Sequence, residues 1–228
     1  MPTDPAPPSS HDNQPGVERL LVLSDGVVAI SLTLLVLQLQ VPPTAQVPDP
    51  TSASGLAAQL GKGADELISY VISFYVIAQF WLVHHRVFRR VAGQRESLAW
   101  WNFAFFFTIT LMPFTSNLLG KYSANPLAVD IFAFNLLAAS LATQATVIFS
   151  HRAHLLITET SEHERQATRL RAAASIIIII ALSIGLAWVN TGAAKYCWLL
   201  LAIVPWAADR WSARRIRTHD DPADSTGI

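Results

Sequence analysis

The sequence predicts an all-α polytopic membrane protein with six transmembrane helices per subunit, on three observations. Hydrophobic residues make up 52% of the chain and charged residues only 14%, with seven tryptophans and a mean hydropathy of +0.36, too apolar for an ordinary water-soluble domain. Six apolar runs, at about residues 20–41, 66–85, 98–119, 127–149, 172–190 and 194–209, reach or approach the length a spanning helix needs. That length is roughly 20 residues for about 30 Å of hydrocarbon. The basic residues then sort onto two sides of those runs, as a correct helix count requires.

Taken in order, residues 1–17 are rich in Pro, Ser and Asp and have neither a basic start nor an apolar core, so they read as a disordered tail and not a signal peptide. The first run follows Arg19, carries Ser24 and Asp25 inside it, and stops at Pro42-Pro43. The stretch on to Gly63, with Pro48 and Pro50, reads as a loop holding a short helix. The second run ends in FWLVHHRVF, the third opens with LAWWNFAFFF and reaches MPFTSNLLG, and the fourth follows Pro126. TSEHERQATRLR, residues 160–171, carries mixed charges at helical spacing and reads as a solvated extension of the fifth helix. The fifth run, with ASIIIIIALSIGLAWV, is β-branched and would suggest a strand in water. In lipid an isolated strand leaves its backbone groups unpaired, so helix wins on environment. The sixth run is short. Residues 18–211 thus form one six-helix domain, and 212–228 a basic and then polar tail.

Thirteen arginines lie on one side: Arg19, Arg86, Arg89, Arg90, Arg95, Arg152, Arg165, Arg169, Arg171, Arg210, Arg214, Arg215 and Arg217. The other side has only Lys62, Lys121 and Lys195, which completes the 16 basic residues. By the positive-inside rule both termini are cytoplasmic, in the cell inner (plasma) membrane. The formal net charge is zero, so nothing in the balance points to a nucleic-acid partner. The lone Cys197 excludes a disulfide framework and reads as an apolar packer.

An ionisable group inside a spanning helix needs a partner. The second run is antiparallel to the first and brings His84 and His85 to the end where Asp25 starts, and the third leaves that end through Asn102. Arg19, Ser24, Asp25, His84 or His85, and Asn102 are therefore expected to form one polar cluster, with Trp81 about a turn deeper. A metal centre is not expected, since no H-E-x-x-H or comparable spacing occurs. At about 100° per residue, Ile30, Thr33, Leu34 and Leu37 share an arc of about 100°, while Asp25 lies about 220° around from Ile30. The Ile30 stripe is left to face lipid or copies of itself around an axis.

Arg19-x-x-x-Leu23-Ser24-Asp25-Gly26 resembles the R-x-x-x-F-S-D signature of the first helix of the TMEM175 potassium channel family, in its short single-repeat prokaryotic form. FWLVHHRVF is similar to the family's second-helix Trp-x-x-His-His pattern, and Asn102 with MPFTSNLLG to its third-helix pattern. Leu23 stands where the family usually has phenylalanine, keeping bulk without the ring. The resemblance implies a homotetramer whose pore is lined by the first helix, with Ile30, Leu34 and Leu37 as apolar constriction layers and Thr33 as a polar lining residue. It implies a polar network of Arg19, Ser24, Asp25, Trp81, His84, His85 and Asn102 that holds this helix, potassium as a transient occupant, and no cofactor or resident metal. The sequence has no TVGYG run, so a tetrameric TVGYG-type potassium channel fold is not expected. The rival from another class is a proton-coupled secondary transporter with Asp25 and His84 or His85 as a relay; a third is a non-conducting scaffold.

Overall fold

The computed structural model describes residues 15–47, 49–91, 96–153, 155, 177–178, 180–194 and 198. Its regular elements are α1 (Pro15–Leu35), α2 (Ala53–Lys62), α3 (Ala64–Phe88), α4 (Glu96–Lys121) and α5 (Pro126–Arg152), with short 3-10 turns at Val36–Gln38 and Thr44–Gln46. Among the described residues, four helical stretches are long and apolar enough to cross a membrane: Gly16–Gln38, Ala64–Phe88, Glu96–Lys121 and Pro126–Arg152. These are the first four predicted runs, each extended by a turn or less at one or both ends except the first, where the helix gives way earlier than Pro42. Of the fifth run, residues 180–187 are helical. The tail before Pro15, residues 160–171, Cys197, most of the sixth run and residues 212–228 lie outside the described residues, as does the six-helix count.

Local chemistry sets the helix ends. α1 starts at Pro15, where a missing N–H goes unneeded in a first turn. Between α1 and α2, Thr51 donates to Asp49 from both side chain and backbone, which holds the Asp49 carboxyl below its ordinary range. Ser52 then caps α2 by accepting from the Gly55 amide at 3.4 Å. Asn125 caps α5 through the Leu127 amide at 2.9 Å, with Pro126 at the first helical position. Arg86 occupies the last turn of α3, where a cation meets the negative end of the helix dipole.

The spanning helices alternate up and down, and two apolar clusters fix that arrangement. Val17 and Leu20 at the start of α1 pack with Phe88 and Val91 at the end of α3, Leu98 at the start of α4 and Phe149 at the end of α5. This gathers the Arg19, Arg86–Arg90 and Arg152 ends on one side, as the charge partition requires. A larger cluster fills the rest of the bundle around Phe105, Ile109, Met112, Phe132 and Leu136, all at 0% exposure. Between helices the glue is polar. Ser69 Oγ donates to the Ser116 carbonyl at 2.8 Å and Ser116 Oγ returns to the Ser69 carbonyl at 3.3 Å, joining α3 to α4. Asn135 of α5 donates to the Thr108 carbonyl at 3.1 Å and to Thr115 Oγ1 at 3.4 Å. Small hydroxyl residues let backbones approach in lipid, where apolar burial alone gives helices little reason to associate. At the far end Gly120 carries this further: a Cβ there would sit 3.0 Å from Glu66 Cα.

Candidate functional site

α1 has two faces, and their spacing creates them. Val17, Leu20, Ser24, Val28, Ser31, Leu35 and Gln38 are buried, at intervals of three and four residues, against α3 and α4. Ile30, Leu34 and Leu37 are 61%, 43% and 72% exposed, and Thr33 lies exposed among them. The Thr33 hydroxyl donates to the Ile30 carbonyl at 2.8 Å, so its donor is used within the helix and its oxygen remains an acceptor.

The polar residues near the arginine-rich end divide into two pairs. Trp81 Nε1 of α3 donates to Asp25 Oδ1 at 2.7 Å, and the Trp81 ring stacks on His85 with centroids 5.3 Å apart. Deeper between the helices, His84 Nε2 donates to Asn102 Oδ1 at 2.7 Å, with 3% and 0% of the two residues exposed. The His84 ring is held between Phe88 at 4.4 Å and Phe105 at 4.7 Å. One side of α3 thus presents Trp81 and His85, one turn apart, to α1, and another presents His84 to α4.

Arg19 and Ser24, expected in the same cluster, join neither pair. Ser24 is fully buried and donates to the Leu20 carbonyl of its own helix at 2.8 Å, the usual way for a hydroxyl in an apolar setting to satisfy itself. Arg19 is exposed and sits about 120° around the helix from Asp25. Among the described residues no group of three His, Cys, Asp or Glu converges on a common point.

Sequence reasoning missed two polar contacts at the opposite end. Asp130 in α5, 6% exposed, accepts from Trp188 Nε1 at 2.9 Å through Oδ2. The rule that singles out Asp25, an acid inside a spanning run, applies to it equally. Gln38, 7% exposed, donates from Nε2 to the Pro113 carbonyl of α4 at 2.7 Å, a contact without a local sequence signal.

The buried pair allows a stability prediction. Replacing Asn102 by leucine leaves the His84 N–H unpaired between two phenyl rings, a loss of about 1–3 kcal/mol. A lowered thermal midpoint of the detergent-solubilised protein is expected. Adding His84→Phe should restore part of it, because the pair then disappears as a unit. Additive losses would count against the pairing.

The sequence pattern that defines the family described as "Endosomal/lysosomal potassium channel TMEM175" matches residues 19–113, the stretch containing α1 from Arg19 onward, all of α3, both polar pairs and Pro113. A potassium channel of Streptomyces collinus is 31% identical over 177 residues, which cover 75% of this chain and 82% of that protein. A potassium channel of Chamaesiphon minutus is 29% identical over 183 residues, 76% of this chain and 87% of that one. The crystal structure of a lysosomal potassium-selective channel TMEM175 homolog from Chamaesiphon minutus superposes with a TM-score of 0.73 at 25% identity, covering 86% of this chain and 99% of that one.

Proposed function

Because the chain belongs to the TMEM175 potassium channel family, we propose that it forms a potassium-permeable cation channel, a homotetramer in which four copies of α1 surround the pore. The protein lies in the cell inner (plasma) membrane with both termini cytoplasmic, in contact with lipid on its outer surface. The observation that carries this reading is the uncovered stripe on α1. Ile30 and Leu37 are 61% and 72% exposed on a helix whose Val28 and Leu35 are 3% and 0% exposed. Such a stripe faces lipid or its own copies. The likeness to a potassium-selective channel homolog, over 99% of that chain, supports the second.

Ile30, Leu34 and Leu37 then form successive apolar rings, which gate by dewetting: a constriction too narrow for a hydrated ion holds no stable water column. An ion passes by shedding part of its hydration. Potassium does so at lower cost than sodium, because its charge is spread over a larger radius. Thr33 offers an acceptor oxygen about one turn from Ile30, and this sieve gives a modest preference for potassium. Potassium is a transient occupant, and the mechanism uses no cofactor and no resident metal. Asp25 and Trp81, with His85 stacked on the indole, tie α1 to α3, and His84 with Asn102 joins α3 to α4, so that the docked α1 turns its stripe to the axis.

Purified protein in liposomes under a potassium gradient tests the reading. Conductive flux that follows the membrane potential is the expected result. Electroneutral or saturable exchange would replace the channel with a proton-coupled carrier using Asp25 and His84 or His85, and no flux from pure protein would leave a scaffold.

A further inference from the structure

We infer that Gln38 is a positioning residue for the outer end of the pore: its amide ties the turn carrying Leu37 to α4 and so sets how far Leu37 reaches toward the axis. The inference rests on the pore reading above and adds a residue that lines nothing itself. α1 is α-helical only to Leu35; Val36–Gln38 form a 3-10 turn, and Leu39 is already extended at φ −77° and ψ 106°. A 3-10 turn advances about 120° per residue against about 100° in an α-helix, so the direction of Leu37 is decided by this turn and not by the helix below it. The turn closes at its end through the Leu39 amide, which donates to the Val36 carbonyl at 3.1 Å.

A further restraint is remote. Gln38 Nε2 donates to the Pro113 carbonyl at 2.7 Å, across 75 residues of sequence. Pro113 lies inside α4, where it interrupts the backbone ladder by lacking an N–H. Leu37 and Gln38 are neighbours with opposite fates, 72% and 7% exposed. Fixing the amide of one against α4 therefore aims the side chain of the other outward. In an apolar environment a neutral amide has no water to fall back on, so the bond holds the turn more firmly than the same contact would on a wet surface. Loss of the donor frees the last turn to unwind toward the extended segment after it and withdraws Leu37 from the constriction.

The experiment places Leu37→Cys in a Cys197→Ser background and measures how fast a water-soluble thiosulfonate, added from the side opposite the arginine-rich loops, blocks potassium current. Gln38→Met keeps the length and bulk of the side chain but removes the amide. It is expected to change the modification rate roughly fivefold, the order by which one lost hydrogen bond shifts a local equilibrium. It should also lower the potassium over sodium permeability ratio. An unchanged rate and ratio in an assembled Gln38→Met channel would overturn the inference while leaving the pore assignment standing. If labelled Leu37→Cys conducts as before in the Gln38 parent, Leu37 does not line the pore, and the inference falls with that assignment. If Gln38→Met fails to assemble, Gln38→Asn, which withdraws the amide by one methylene, replaces it: a changed rate and a lowered ratio support the inference, and unchanged values overturn it.

Discussion

Replacing Ile30 with asparagine is expected to raise potassium flux about tenfold or more. In the proposed tetramer four isoleucines meet at one level, and the barrier there is the work of dehydrating an ion and wetting an apolar ring. Asparagine is smaller than isoleucine and supplies amide groups that hold water and coordinate a cation, so it both widens and wets the ring. A barrier lowered by about 1.4 kcal/mol is a tenfold gain in rate, and four new polar groups at a constriction can exceed that. Discrimination between potassium and sodium should fall in the same variant, since an ion that keeps its water is no longer sorted by the cost of losing it. Single-channel recording in planar bilayers under a potassium against sodium gradient reads both quantities. Conductance equal to that of the parent would remove Ile30 as the constriction. A gain at Leu34→Asn but not at Ile30→Asn would move the narrowest ring one turn along α1.

The second large effect concerns assembly. Asp25→Ala deletes the acceptor of the Trp81 indole, whose 2.7 Å bond ties α1 to α3. Side-chain hydrogen bonds between membrane helices average about 0.6 kcal/mol and reach about 1.7, and a carboxyl acceptor places this one toward the upper value. One such loss leaves a single subunit folded. In a tetramer it recurs four times and acts on the helix that all four subunits share. Size-exclusion chromatography in mild detergent should show a loss of tetramer, while channels that do form keep the parent's ion preference. Asp25→Asn, which retains an acceptor oxygen, should lie between parent and alanine. A full complement of tetramer with altered preference would reverse the assignment and put Asp25 in the ion path.

Legibility in the sequence followed the range of the interaction. The four described spans were readable because composition and length decide them, and lipid leaves the backbone few alternatives. That Asp25 would meet the end of α3 followed from antiparallel order, since two helices leaving one side must bring equal depths together; that its partner there is Trp81, 56 residues away and expected about a turn deeper, was not fixed by that order. The partition of the cluster did not follow. Which way Ser24 turns depends on the 100° step from Asp25 and on the Leu20 carbonyl behind it, and a set of polar residues at one depth contains neither. Gln38 was invisible for a related reason. Val36 and Leu37 continue the apolar run and no Gly or Pro intervenes before Pro42, so nothing local marks the switch to a 3-10 turn, which coincides with the Gln38 contact to α4. Asp130 was legible by the same rule as Asp25, but its partner Trp188 lies 58 residues on, in a run whose depth the charge pattern fixes less sharply.

The buried positions of α1 recur at intervals of three and four from Val17 to Gln38. Any single-residue deletion or insertion between Asp25 and Ile30 would rotate everything beyond it by about 100°. Ser31 and Leu35 would leave the core, Thr33 and Leu37 would turn away from their stripe, and Gln38 would miss Pro113 altogether. Point substitutions on the open face disturb one contact each, whereas a frame slip of one residue turns both faces out of place at once. Length between those two residues is therefore held more tightly than identity, and related chains should align through this stretch without a gap even where few of the letters agree.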